Sequence, residues 1–172
     1  MENTKKQLEA VKKNGYAIRY IKNPSLEVQL EAVKQNGYAI LYIKNPSLEV
    51  QLEAVKQDGC AIQFIKNPSL EVQLEAVKQY GYAIYHIENP SLEVQLEAVK
   101  QNGFAIQYID IESPLLGMIN ENDSVSKRYN NIELILSKIY SPKAFEYLIS
   151  HNFKFSDKFK ASSIYKEYLI DY

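Results

Sequence analysis

Apolar and polar positions along this chain repeat with a period of 22 residues. The stretch "NPSLEVQLEAVKQ" begins at Asn23 and recurs unchanged at Asn45, Asn67 and Asn89. Five units follow, 1–22, 23–44, 45–66, 67–88 and 89–110, the first degenerate over its opening residues. Within 23–44, Leu26, Leu30 and Val33 recur at i, i+4, i+7 with Val28 and Ala32 beside them, a wide apolar stripe of helical period. Leu, Glu, Gln, Ala and Lys are strong helix formers, which outweighs the brief strand-like alternation of "LEVQL". Asn23-Pro24 supplies a helix start, with Ser25 as a competing cap. Glu27 and Glu31 lie early and Lys34 late, as the helix dipole favours. Gly37 reads as a left-handed stop, with Tyr38 packing back on Val33 as in a Schellman ending. A second short helix is predicted over about Tyr38 to Lys44. Helices this short are marginal alone and need stacked neighbours. The expected fold is all-α: an α-solenoid of five 22-residue helix-turn-helix repeats with a C-terminal helical cap.

Residues 111–125 read as a connection and 126–172 as the helical cap. Three helices are expected there. The first carries Tyr129, Ile132, Ile135 and Ile139 on one face. The second opens at Ser141-Pro142 and buries Phe145, Leu148 and Ile149. The third opens at Ser156 and turns Phe159, Tyr165, Tyr168 and Leu169 inward. A solenoid requires such a cover on its terminal repeat; the competing reading is a separate binding element rich in Phe and Tyr.

The motif "AVKQNGYAI", with its A-V-x-x-x-G-x-A-I spacing in register five times over residues 1–110, resembles an uncharacterised family of short tandem helical repeats, a domain of unknown function found in bacterial and viral proteins. The "KNP" link between units is tighter than is usual in that family. The resemblance implies helical pairs and no particular activity.

The 172 residues are 46% hydrophobic and 24% charged, with 20 Lys+Arg against 21 Asp+Glu. Residues 1–110 hold 12 basic and 13 acidic side chains, leaving 8 and 8 for the remainder. That balance disfavours phosphate-backbone binding, so nucleic acid is expected only within a nucleoprotein complex. Cys60 is the sole cysteine, which excludes a disulfide framework. No apolar run reaches the length of a membrane span, and no signal-peptide core opens the chain. The expected location is the cytoplasm, or a host cytoplasm if the source is a virus.

No catalytic constellation, cofactor motif or metal spacing is found, so an enzyme is not expected. Glu27 and Glu31 at i, i+4 read as solvated dipole partners. His86 and Cys60 replace aromatic residues of other units and read as packing variants. The invariant Ala39, Ile40 and Ile43 registers predict a buried face of the second helix. Facing away lie the registers in which the copies differ. One holds Tyr16, Tyr38, Cys60, Tyr82 and Phe104, expected to fill gaps between units. The others hold Arg19, Leu41, Gln63, Tyr85 and Gln107, and Tyr20, Tyr42, Phe64, His86 and Tyr108; these are the candidate partner strip. Lys22, Lys44 and Lys66 give way to Glu88 and Asp110 nearby. The exposed Glu, Gln and Lys of the first helix are invariant with no packing reason in the sequence, as recent copying would leave them.

The leading expectation is a non-enzymatic, monomeric scaffold that binds a protein or peptide along its second-helix face. Two alternatives stand beside it. One is a virus- or phage-derived inhibitor of a host defence or nucleoprotein complex, such as an anti-CRISPR-type protein. The other is a self-assembling structural repeat.

Overall fold

The computed structural model describes residues 2–109, 132–153 and 155–171. Tyr129, Asp110 and the 111–125 connection lie outside them. The described residues form helices and no strand. They divide into two compact units, Met1–Ile87 and Glu88–Tyr172. The first holds four repeats. The second holds the fifth repeat and the C-terminal helices.

Every repeat pairs an α-helix with a six-residue 3-10 helix. The α-helices are α1 (Glu2–Lys13), α2 (Leu26–Gln35), α3 (Leu48–Gln57), α4 (Leu70–Gln79) and α5 (Leu92–Gln101). The 3-10 helices are η1 (Gly15–Tyr20), η2 (Gly37–Tyr42), η3 (Gly59–Phe64), η4 (Gly81–His86) and η5 (Gly103–Tyr108). The all-α solenoid of 22-residue repeats expected from the periodicity is therefore observed.

The punctuation between helices differs from expectation. Ser25, the competing cap, is the actual N-cap: it is extended and its side chain accepts from the Val28 N–H. Asn23 instead takes left-handed backbone (φ 54°), as do Asn45, Asn67 and Asn89. Asn tolerates that region better than most residues, so it turns the chain between repeats. The amide of Gln29 then donates to the Pro24 carbonyl at 2.9 Å and ties the turn to the helix.

Gly37 is not a left-handed stop, and no glycine of the described residues has positive φ. The stop is Asn36, in extended backbone (φ −155°, ψ 113°), which ends α2 and caps η2 by accepting from the Tyr38 N–H. Gly37 is glycine for lack of room. A Cβ there would lie 2.5 Å from the Ala54 carbonyl oxygen in the next repeat, and Gly15 stands the same way against Ala32, Gly59 against Ala76. Glycine and alanine at these registers let neighbouring backbones touch.

The second helix is 3-10 because three residues per turn align Gly37, Ile40 and Ile43 in one row, and all three are buried. The Ala39 and Ile43 N–H groups donate to carbonyls three residues back, Asn36 and Ile40. Val28, Ala32 and Val33 complete the core, each fully buried. Leu26 does not belong to it. As first residue of α2 it is 47% exposed, and Leu48 and Leu70 are alike at 46%.

The invariant glutamines have a structural role after all. Gln35 Oε1 accepts from the Gly15 N–H of the preceding repeat at 2.6 Å, and Gln57 accepts from Gly37 in the same geometry. The donor left over at the start of η1 and of η2 is thereby satisfied from the next repeat.

In the second unit, residues 132–138 (α6), Pro142–Ser150 (α7), Asp157–Lys160 (α8) and Ser163–Asp171 (α9) follow the fifth repeat. A Cβ on Gly103 would meet Ser141 Oγ at 2.6 Å and the Ala144 nitrogen at 2.7 Å. α7 thus occupies on η5 the position that a following repeat's α-helix occupies elsewhere. Ile132, Ile135, Phe145, Leu148, Phe159 and Tyr168 are buried as expected. Ile139, Ile149 and Tyr165 are half-buried, and Leu169 is exposed, not inward. Ser156 caps a helix as expected, accepting from Phe159, but a turn then separates α8 from α9. Ser141 caps nothing with its side chain. Its N–H donates to the Tyr168 hydroxyl at 2.9 Å, and that hydroxyl donates to the Ile139 carbonyl. The buried Tyr168 ring stacks on Phe145 at 4.6 Å. Glu133 accepts from both the Ser156 N–H and its hydroxyl.

Candidate binding surface

In the first unit η1, η2, η3 and η4 lie side by side, each touching the next. Their invariant row faces inward, so the residues that differ among copies fall on neighbouring outer positions. The three-residue turn sorts them into two rows rather than the single stripe an α-helix predicts: Tyr38 aligns with Leu41, and Tyr42 with Ala39.

The register of Tyr16 and Tyr38 is half-buried and does fill gaps between repeats. Tyr16 meets Tyr42 edge-on at 5.9 Å, and Tyr38 meets Phe64 at 5.4 Å. Cys60 supplies no ring at the next step. Burial, and after it the Asp58 carboxylate, push its thiol pKa up against a lowering hydrogen bond with Tyr38, opposite to what a nucleophilic cysteine needs. His86 instead packs edge-on against Tyr85 of its own turn. In the fourth repeat Tyr80 replaces the capping Asn or Asp, forms no side-chain cap, and meets Tyr82 at 5.5 Å.

The register of Arg19, Leu41, Gln63 and Tyr85 is exposed in all four repeats, with Leu41 at 52% and Tyr85 at 68%. Arg19 stands over the Tyr20 ring, 4.5 Å from its centroid, and donates to the Tyr20 hydroxyl. That hydrogen bond favours the charged guanidinium and raises its pKa. Gln63 folds back to donate to the Cys60 carbonyl at 3.0 Å, so its amide is partly committed to its own turn. In the adjoining register Tyr20 and Tyr42 are exposed, whereas Phe64 and His86 are half-buried. In the second unit Gln107 and Tyr108 are exposed, and Gln107 donates to the Phe104 carbonyl. Lys22, Lys44, Lys66 and Glu88 are exposed as well.

The sequence did not single out Leu26, Leu48 and Leu70 as surface residues. The available signal was their place immediately after the serine cap, before the buried valine two positions on. Among the described residues no group of three or more His, Cys, Asp or Glu is arranged to hold a metal. None of their helices is long and apolar enough to cross a membrane.

Repeated helix-plus-turn units, those of repeats 2, 3 and 4 packed on the glycine of the preceding repeat, with a variable outer face, define a short-repeat α-solenoid. The model of one family, a domain of unknown function (DUF4116), matches residues 7–48, 25–70 and 47–92 as overlapping tandem copies. Together these span half of the chain, which belongs to that family. No curated protein and no solved structure matches the chain.

Proposed function

We propose that this chain is a non-enzymatic scaffold that binds a protein or peptide partner, in the cytoplasm, across the outer face of its 3-10 helices. The observation that carries the reading is the division of labour inside each repeat. The residues of closest approach between repeats, Gly15, Gly37 and Gly59 against Ala32, Ala54 and Ala76, are constant, while Arg19, Leu41, Gln63 and Tyr85 occupy equivalent exposed positions on adjoining turns and share no chemistry. Exposed aromatic and arginine side chains are the types enriched at interface hot spots. The near-neutral total charge favours a protein over nucleic acid. Helix α7 lies against Gly103, where another repeat would pack, and this supports a capped monomer over end-to-end assembly. Affinity capture from the native host with the wild type and with the Leu41→Ala, Gln63→Ala, Tyr85→Ala variant tests the proposal. A partner retained by the wild type and lost by the variant is the expected result. Equal retention by both excludes the strip.

A further inference from the structure

The first repeat departs from its copies along one stripe of its α-helix. In repeat 2 the face of α2 turned toward the preceding η1 is built from Val28, Ala32 and Gln35, with the Ala32 backbone against Gly15 and Gln35 accepting its N–H. The equivalent residues of α1 are Lys6, Ala10 and Lys13, again at i, i+4, i+7, and all three are exposed. Ala10 thus leaves bare a helix backbone surface that accepts close approach elsewhere in the array. The glutamine acceptor has become a lysine, which can only donate. Beside it Tyr20 is 76% exposed, against 41% for Tyr42, whose ring is covered by Tyr16.

Charge follows the same boundary. Repeat 1 carries Lys5, Lys6, Lys12, Lys13, Arg19 and Lys22 against Glu2 and Glu9, a net of +4. Repeat 2 nets 0 (two Lys, two Glu), repeat 3 nets −1 (two Lys, two Glu, Asp58), and repeat 4 nets −2 (Lys78 against three Glu). We infer that the Lys6–Ala10–Lys13 stripe of the first repeat, with Arg19 and Tyr20 beside it, is a docking surface for a short acidic peptide segment with small residues between its carboxylates. Lys6 and Lys13 stand about 10 Å apart along the helix, close to the roughly 9 Å between carboxylates three residues apart on one face of a polyproline-II chain. Small residues between them let that chain lie on Ala10. A nucleic acid fits less well, because its continuous charge would have to run on over repeats that are neutral and then acidic.

The test uses the full chain and a fluorescein-labelled peptide of about twelve residues made of Glu-Gly-Ala triplets, which place carboxylates about 9 Å apart on one face of a polyproline-II chain. A Gln-Gly-Ala peptide and a thymidine oligonucleotide of similar length serve as comparisons. The Glu peptide is expected to bind more tightly than both. Lys6→Gln with Lys13→Gln is expected to weaken it about tenfold, and Lys44→Gln with Lys66→Gln less than about twofold. Binding no tighter than the Gln peptide, or equal losses from the two variants, overturns the proposal. An oligonucleotide that binds as tightly as the Glu peptide also overturns it and makes the surface a nucleic-acid site. Leu41, Gln63 and Tyr85 are unchanged in these variants, so capture through the strip reads independently of this result.

Discussion

The repeats and the C-terminal helices solve the same packing problem with opposite materials. In the repeats the core is valine, alanine and isoleucine, and the closest contacts are backbone on backbone, Gly37 against Ala54 and Gly59 against Ala76. After residue 131 stacked rings join the aliphatic core of Ile132, Ile135, Leu136 and Leu148: Phe145 stacks with Tyr168 and Phe155, and Phe155 with Phe159. Small residues make one interface that can be copied indefinitely, because nothing in it depends on which repeat it joins. Large rings make a contact set that exists once, organised around the Tyr168 hydroxyl. The repeat region is therefore sensitive to added volume and the C-terminal region to lost hydrogen bonds.

Three substitutions probe that contrast. The largest effect is expected from Gly37→Ala, whose new methyl would meet the Ala54 carbonyl oxygen at 2.5 Å and Gln57 Oε1 at 2.9 Å. It should cost about 3 kcal/mol by denaturant unfolding; a change below about 0.5 kcal/mol would mean the repeats are not in backbone contact. Tyr168→Phe keeps the stacked ring but leaves the buried Ser141 N–H and Ile139 carbonyl without their partner. About 2 kcal/mol is expected, and no loss would show that the rings alone hold this region. The smallest is Gln57→Ala, which removes the acceptor for the Gly37 N–H. About 1 kcal/mol is expected, with the amide proton of Gly37 exchanging faster. Unchanged exchange there would remove glutamine from the inter-repeat contact.

Much of the fold was legible because its signals are local. The 22-residue period, the Ser25 cap and the buried Ala39, Ile40 and Ile43 registers can be read inside a single repeat. What escaped depends on contacts between repeats. Glycine serves positive φ and close approach equally well, and only Ala54, 17 residues away in the next repeat, shows that Gly37 serves the second. The purpose of Gln35 likewise lies at Gly15, 20 residues back, so its constancy looked like copying without cause. The α-helical spacing gave one stripe where the 3-10 turn gives two rows. The Arg19, Leu41, Gln63 and Tyr85 register, which differs most among the copies, is exposed. For the C-terminal segment no internal copy offers a comparison, and Leu169 was misplaced for that reason.

The central claim is that constant positions make the closest contacts between repeats while the varying outer row contributes little to stability. Thermal and denaturant unfolding of the Arg19→Ala, Gln63→Ala, Tyr85→Ala, Gln107→Ala variant tests it directly. The account predicts unchanged helicity and, for each position, a stability change within about 0.5 kcal/mol. A cooperative loss of several kcal/mol would place these side chains in the core and contradict it.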